Sequence, residues 1–423
     1  MGIRISCAAA HKVVTHPPEG SVPRLIDVIN HLCHCLATVA TYAPNVSGLH
    51  SRLQRRGTLL SFLHLKSATA VRVVSAIAAL GLLVSAGSAA ANPRLIVDVK
   101  SGRVIAHQDA FLKWYPASLT KLMTAYVVFK AIRTGRLSLE TQVVMSKKAT
   151  DQPASKMYFK PGTRLTLDNA MKILLVKSAN DIAVAVAETV GGSLDQFVEM
   201  MNSEAHGLGM ASSHFINPHG LPGKGQFTTA RDLAVLTLAL KREFPQYQSY
   251  FSLEGIDTGK KQYPNFNTLI GRFDGADGMK TGFICAAGFN QIGSATRNGR
   301  TVISVVLGSD SLAGRADDTA NLLQQGLTSQ ANEGVPLASL PPYGNTAEVN
   351  DVSAEICNPK AAKVRSENRD DAGRTVLHSP FIHEMTRPPQ YAVTSLILGG
   401  EDVPDANTGT KSVPIPQPRP ANL

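Results

Sequence analysis

The sequence predicts an α+β/α/β fold in the middle of this 423-residue chain: one antiparallel sheet built from both ends of a domain, with helices packed on it and a helical subdomain inserted between. Three observations carry that reading. Alternation of apolar and polar residues opens the domain at "RLIVDVKSGRVIAHQD". It returns after Gly278 in "MKTGFICAAGFNQIGSATRNGRTVISVVLGSD". Between these stretches the apolar residues recur at helical spacing, with capping residues at the starts and glycines at the ends.

Residues 1–91 differ from the rest in composition. They hold eight Lys or Arg against two Asp or Glu, leaving 34 against 30 elsewhere, so the net charge of +10 is concentrated at the amino end. The remainder is nearly balanced, which argues against a nucleic-acid partner. The stretch "VRVVSAIAALGLLVSAGSAAANP" (71–93) follows Arg55, Arg56, Lys66 and Arg72, holds a short apolar run and ends in Ala89-Ala90-Ala91. That is the layout of a secretory signal peptide, so an exported protein of the periplasm or cell envelope is expected. The run is short and broken by Ser and Gly, which argues against a stable membrane span in the mature chain. Signals normally open within about 15–30 residues of the start, so 1–91 reads either as an unusual extension ending in a signal or as a chain whose translation starts later. No Met lies between Met1 and Met123, and a later start requires an alternative codon, for example near Leu63 or Val71.

Cys7, Cys33 and Cys35 precede the signal. The cluster "HLCHC" (31–35) has the residue types of a metal site, but it falls in the segment expected to be missing from the mature protein, and no metal is assigned. Cys285 and Cys357 are an even pair without short spacing, and no disulfide framework is expected.

From Arg94 the two strands of a hairpin are followed by a helix from Ser118 to about Thr134, stopped at Gly135. A second helical stretch, about 167–190, breaks around Lys177 to Asn180 and closes at Gly191-Gly192. Ser193 with Gln196 and Thr229 with Asp232 have capping spacing. Three short strands follow Gly278, with Asn298-Gly299 as a tight turn, and a helix runs from about 314 to 327. Beyond about 331 the text is rich in Pro and small polar residues without sustained periodicity, which predicts a largely disordered tail. The expected organisation is therefore 1–91 extension and signal, 92–330 catalytic domain, and 331–423 tail.

Within "YPASLTKLMTAYVVFK" (115–130) a serine stands one helical turn before a lysine, so the amine of Lys121 can reach the hydroxyl of Ser118. A serine hydroxyl becomes a strong nucleophile when a base takes its proton, and lysine is such a base only when neutral. Burial and a second cation both lower a lysine from its usual ~10.4. At the start of a helix the free N–H groups and the dipole favour developing negative charge. Ser118 is the only serine in the chain followed by lysine at the third position. "KSAND" adds Ser178 and Asn180 at the helical break, and "GMKTGF" adds Lys280, Thr281 and Gly282 at the start of a strand. On a strand 280 and 282 share a face, with Lys280 as the second cation and Gly282 leaving room for a substrate backbone. Lys100-Ser101-Gly102 also fits the last pattern, but it sits in a hairpin turn ahead of the serine and is discarded.

S-x-x-K, S-x-N and K-T-G in this order resemble penicillin-binding proteins and serine β-lactamases. "YPASLTKLMTAY", "LLVKSANDIAVAVAE", "FINPHGLPG", "TARDLAVL" and "GADGMKTGF" resemble one branch closely, the D-alanyl-D-alanine carboxypeptidases, or low-molecular-mass penicillin-binding proteins, over about residues 93–328. The resemblance implies the β-lactamase-like penicillin-binding fold. It implies Ser118 as acylated nucleophile, Lys121 as its base, Ser178 as proton relay to the leaving group and Asn180 as a contact to the substrate amide. Lys280 and Thr281 would bind the terminal carboxylate, and the backbone N–H groups of Ser118 and Phe283 would form the oxyanion hole. The implied partners are peptidoglycan stem peptides ending in D-Ala-D-Ala, and β-lactams; no cofactor is implied. Many relatives carry His or Tyr where Phe283 stands, and a β-sandwich with an amphipathic anchor helix where this chain has its Pro-rich tail.

Two other readings compete. A class A β-lactamase adds an E-x-x-L-N loop, and no such string occurs here. A non-catalytic wall-binding protein has no need of both lysines. His214, His219 and Cys285 are read as packing residues whose replacement leaves the chemistry largely intact.

Overall fold

A computed structural model describes residues 92–397, apart from 331–333, 368 and 371–374. The signal peptide, the "HLCHC" cluster and residues 398–423 lie outside the described residues.

The hairpin strands are β1 (Arg94–Asp98) and β2 (Arg103–Gln108), joined by a turn in which Gly102 takes φ 68°. The three strands after residue 275 are β3 (Ala276–Ile284), β4 (Gly288–Arg297) and β5 (Arg300–Ser309). They are longer than the alternation alone suggested, because every residue from Val302 to Ser309 is buried and the sheet is covered on both faces. Asn298 and Gly299 both have positive φ, 51° and 74°, as the expected tight turn requires. A short strand β6 (Val335–Pro336) completes an antiparallel sheet of order β6-β2-β1-β5-β4-β3. The two ends of the domain thus meet at the β1–β5 pairing, Leu95 opposite Val305 and Val97 opposite Ile303. That pairing is the predicted architecture.

Successive residues of β5 point to opposite faces. Val302 packs with Leu269, Ala316, Ala320 and Leu323, whereas Ile303, Val305 and Leu307 join the larger core. The inserted helices are α1 (Thr120–Arg133), α2 (Leu167–Val176), α3 (Asn180–Gly191), α4 (Leu194–Gly207) and α5 (Ala230–Glu243), and α6 (Leu312–Thr328) follows the sheet. Helix α1 is buried at every position from Thr120 to Phe129, so it is the central post between sheet and helical subdomain. Ser193 and Thr229 cap α4 and α5 by accepting from the N–H groups of Gln196 and Asp232.

The tail differs from expectation. Over the described residues between 334 and 397 it is fixed to the domain and belongs to the same unit, not to a disordered extension. Leu337, Leu340, Val352 and Ile356 are buried in the main core. Cys357 forms a disulfide with Cys285, with Cα atoms 5.5 Å apart. Val349–Asn350 pairs with Lys113–Trp114, and Tyr391–Val393 with Gly255–Asp257, both in parallel. The segment lacks periodicity because its order comes from partners on other elements, so no face of its own needs a repeating pattern. The same pairing corrects the cysteine expectation: the two cysteines are a single staple across 72 residues.

Candidate active site

Ser118 lies in a single 3-10 turn, Ala117–Leu119, that leads into α1. The chain enters it through Ala117, held at φ 47°, a left-handed conformation that costs a non-glycine residue about 1–2 kcal/mol. Two contacts fix it there. Asn290 on β4 donates from Nδ2 to the carbonyl of Tyr115 (3.1 Å) while its Oδ1 accepts from Gly308 N–H (2.9 Å). Gly220, at φ 89°, presses on the other side: a Cβ there would stand 1.7 Å from the carbonyl oxygen of Ala117.

Lys121 is fully buried, and its Nζ lies 3.1 Å from Ser118 Oγ, 2.8 Å from Asn180 Oδ1 and 2.9 Å from the His219 carbonyl oxygen. The orientation of the Asn180 amide is set by its Nδ2, which donates to the Pro153 carbonyl (3.0 Å). Both Asn180 Oδ1 and the His219 carbonyl are acceptors only. A neutral amine has two N–H bonds for these two oxygens, and its lone pair is left facing the serine hydroxyl, which then donates to it. Burial, and after it the charge of Lys280, hold Lys121 well below the usual lysine range. Asp181 opposes this weakly, with its own carboxyl raised by burial.

Helix α2 ends at Val176 and α3 begins at Asn180 because Ser178 takes φ 59° between them. That kink sends Ser178 towards the sheet, where Lys280 Nζ donates to its Oγ (3.0 Å) and to the Thr281 carbonyl (2.9 Å). Lys280 is 2% exposed, and its pKa is lowered to about 7 by burial first and then by Arg315. Arg315 itself is brought down to about 10 by burial.

Strand β3 is the edge of the sheet, and it faces the kink across an open cleft of about 560 Å³. Ser118, Ser178, Asn180, Thr281, Gly282 and Phe283 line that cleft, while Lys121 and Lys280 stand behind it, bonded to Ser118 and Ser178. All eight predicted residues are therefore brought together. Gly282 is needed for a reason beyond room for a ligand: a Cβ there would meet Ser118 N at 3.0 Å and the Pro116 carbonyl oxygen at 3.2 Å. The glycine lets β3 close on the serine turn. The Phe283 ring is 42% exposed and packs on Phe289, with centroids 4.3 Å apart.

His219 contributes its carbonyl to Lys121, and its ring Nδ1 accepts from Leu221 N–H (3.1 Å), so the side chain shapes the loop that delivers the carbonyl. Burial and the charge of Lys121 push that imidazole to about 3, and it stays neutral. His214 bonds instead to the Gly225 carbonyl, away from the cleft. The Cys285 thiol is tied up in its disulfide.

Three contributors were missed in the sequence: Arg315, Asn290 and the His219 carbonyl. Arg315 left a signal, since Arg315, Thr319, Leu323 and Gly326 form the buried stripe of α6 and a charge on such a stripe needs a function. The other two act through a long-range amide and a backbone oxygen, which leave no local pattern. Among the described residues no helix is long and apolar enough to cross a membrane, and no group of His, Cys, Asp and Glu is placed to hold a metal.

The arrangement has relatives. The family model for D-alanyl-D-alanine carboxypeptidase matches residues 82–311, just over half of the chain. The carboxypeptidase DacC of Escherichia coli is 37% identical over 250 residues, covering 57% of this chain and 62% of that protein. The chain thus spans about three-fifths of the length of such a curated relative. The crystal structure of DacD from Francisella tularensis is similar at 33% identity and a TM-score of 0.55, over 57% of this chain and 71% of that one. Penicillin-binding protein D2 of Listeria monocytogenes, solved in its ampicillin-bound form, is similar at 31% identity and a TM-score of 0.52, over 56% and 98%. With the family model and the fold in agreement, this chain belongs to the D-alanyl-D-alanine carboxypeptidase family.

Proposed function

We propose that the protein is an exported serine D-alanyl-D-alanine carboxypeptidase that trims peptidoglycan stem peptides and is acylated by β-lactams. The observation that carries this reading is the set of partners of Lys121, two obligate acceptors and one hydroxyl, around an amine whose burial favours its neutral form. Ser118 Oγ attacks the carbonyl carbon of the penultimate D-Ala and passes its proton to Lys121. The oxyanion is held by the N–H groups of Ser118 and Phe283, each donor of this kind contributing about 10²–10³-fold in rate. The C–N bond then breaks, and the proton reaches the departing amine through Ser178, which Lys280 orients. Thr281 and Arg315, which line the cleft, hold the carboxylate of the leaving D-Ala with the charge of Lys280 behind them, and Asn180 holds the substrate amide. Water, deprotonated by the same lysine, releases the shortened peptide from Ser118.

The test uses the mature chain and a fluorescent penicillin. Labelling at Ser118, lost in Ser118→Ala, together with free D-alanine released from a pentapeptide, is the expected outcome. Rapid turnover of penicillin without D-alanine release points instead to a β-lactamase, and failure of any acylation points to a binding protein.

A further inference from the structure

Asp181 follows Asn180 in the first turn of α3 and is fully buried. Among the described residues its carboxylate is held by backbone N–H groups: Oδ2 accepts from Met157 (2.8 Å) and Tyr158 (3.2 Å), and Oδ1 from Ile182 (2.9 Å). Burial raises its carboxyl, and those N–H groups, with the charge of Lys156 after them, act against the rise. A charge that is costly to bury is thus kept beside the reacting groups, although the acyl-transfer steps above make no use of it.

The two N–H groups on Oδ2 belong to the segment 153–158, which is tied to the kink between α2 and α3. Tyr158 sits at φ 63°, a left-handed conformation unfavourable for a bulky residue, and its ring is 72% exposed, so packing does little to hold it there. The carboxylate supplies the hold. The same segment grips Asn180 twice, since Asn180 N–H donates to the Ser155 carbonyl (2.7 Å) and Asn180 Nδ2 to the Pro153 carbonyl (3.0 Å). Ser155 Oγ in turn donates to the Lys177 carbonyl (3.1 Å).

A carboxamide has two ends of similar size and opposite character, one an acceptor and one a donor. With Nδ2 on Pro153, it is Oδ1 that faces Lys121 Nζ at 2.8 Å. Released from Pro153, the amide can turn over, and Nδ2 then donates to the lone pair that has to receive the Ser118 proton.

We propose that Asp181 is a positioning residue for acyl transfer: by anchoring 153–158 it fixes which end of the Asn180 amide faces Lys121, and so keeps the lone pair of that amine free for Ser118. This rests on the acyl-enzyme reading above and adds to it a residue that does not itself line the cleft.

The experiment measures acylation of the mature chain by penicillin against pH in the wild type, Asp181→Asn, Asn180→Ala and the double variant. Lys121 is faced by Lys280 from β3, by Asp181 from α3 and by the neutral His219 ring from the 217–221 loop. Asp181→Asn removes an anion and lets a donor turn towards the amine, and both changes disfavour the ammonium form. The acid limb is therefore expected to move to lower pH while the plateau rate falls about tenfold, with the dissociation constant for penicillin unchanged. In the Asn180→Ala background, Asp181→Asn should change the plateau by less than about twofold. A limb that moves up towards ~10.4, the sign of water reaching Lys121, overturns the inference. An unchanged plateau, or a full further loss in the Asn180→Ala background, overturns it as well. Where Asp181→Asn alone does not fold, the same readings are taken with Tyr158→Gly added, because glycine takes φ 63° without strain. A pair that still does not fold makes Asp181 a structural support only, which also sinks the proposal. Absence of label at Ser118 in the wild type would instead defeat the acyl-enzyme reading itself.

Discussion

Lys280 shows what an active-site residue does to the fold that carries it. The unfolded chain binds its proton with a pKa of ~10.4, whereas the folded protein holds that lysine at about 7. Between those pH values the unfolded chain carries more protons, so stability rises with pH across that window, and below about 7 the full penalty applies. Lys280→Met keeps the bulk and removes the buried amine. It is expected to raise the melting temperature at pH 7 and flatten the pH dependence of stability from 7 to 10, while acylation by penicillin falls at least a hundredfold. Calorimetry over pH with labelling of Ser118 checks both. Lys121 acts in the kinetics: because the reactive form is neutral, acylation should rise with pH along an acid limb centred well below ~10.4. A limb at the ordinary lysine value would remove Lys121 from the role of base.

Gly220 is the residue where backbone alone decides. Its φ of 89° and its approach to the Ala117 carbonyl leave no space for a methyl group. Gly220→Ala should push the 217–221 loop outward, carrying the His219 carbonyl off Lys121. A loss of at least tenfold in acylation rate is expected with destabilisation of about 1–3 kcal/mol. Equal rates in both proteins would show that the loop has no part in orienting the amine.

At the scale of elements, the turn between β3 and β4 is held from outside the sheet. Trp114 Nε1 donates to the Ala287 carbonyl (2.8 Å), Val352 N–H to the Ala286 carbonyl (3.2 Å), and Cys285 is bonded to Cys357. A crosslink closing about 70 residues contributes ~2–4 kcal/mol. The Cys285→Ser, Cys357→Ser double variant is therefore expected to lose that stability in urea titration while still taking label at Ser118. Complete loss of labelling in a folded double variant would mean that the staple holds the oxyanion strand itself.

For the whole molecule, the described residues between 334 and 397 are part of the folding unit. Ending the chain at 330 uncovers the sites of Leu337, Leu340, Val352 and Ile356, each worth ~1.5–3 kcal/mol when buried, and leaves Cys285 without a partner. The 92–330 fragment should unfold at markedly lower urea than 92–397, and equal midpoints would make the packed tail incidental.

Sequence by itself determined the strands β1 to β5, the capped helices and the residues of the three motifs, because each is a local matter: alternation for β1 and β5, hydroxyl caps at Ser193 and Thr229, and a helical turn between Ser118 and Lys121. It did not reveal that Ala117 and Ser178 adopt left-handed backbone, that a carbonyl at residue 219 completes the shell of Lys121, that the charge of Arg315 acts on Lys280, or that Cys285 meets Cys357. These are meetings between segments tens to hundreds of residues apart. Burial, which does most to lower both lysines, exists only once those segments close on one another, so tertiary structure alone decided how the amines are tuned.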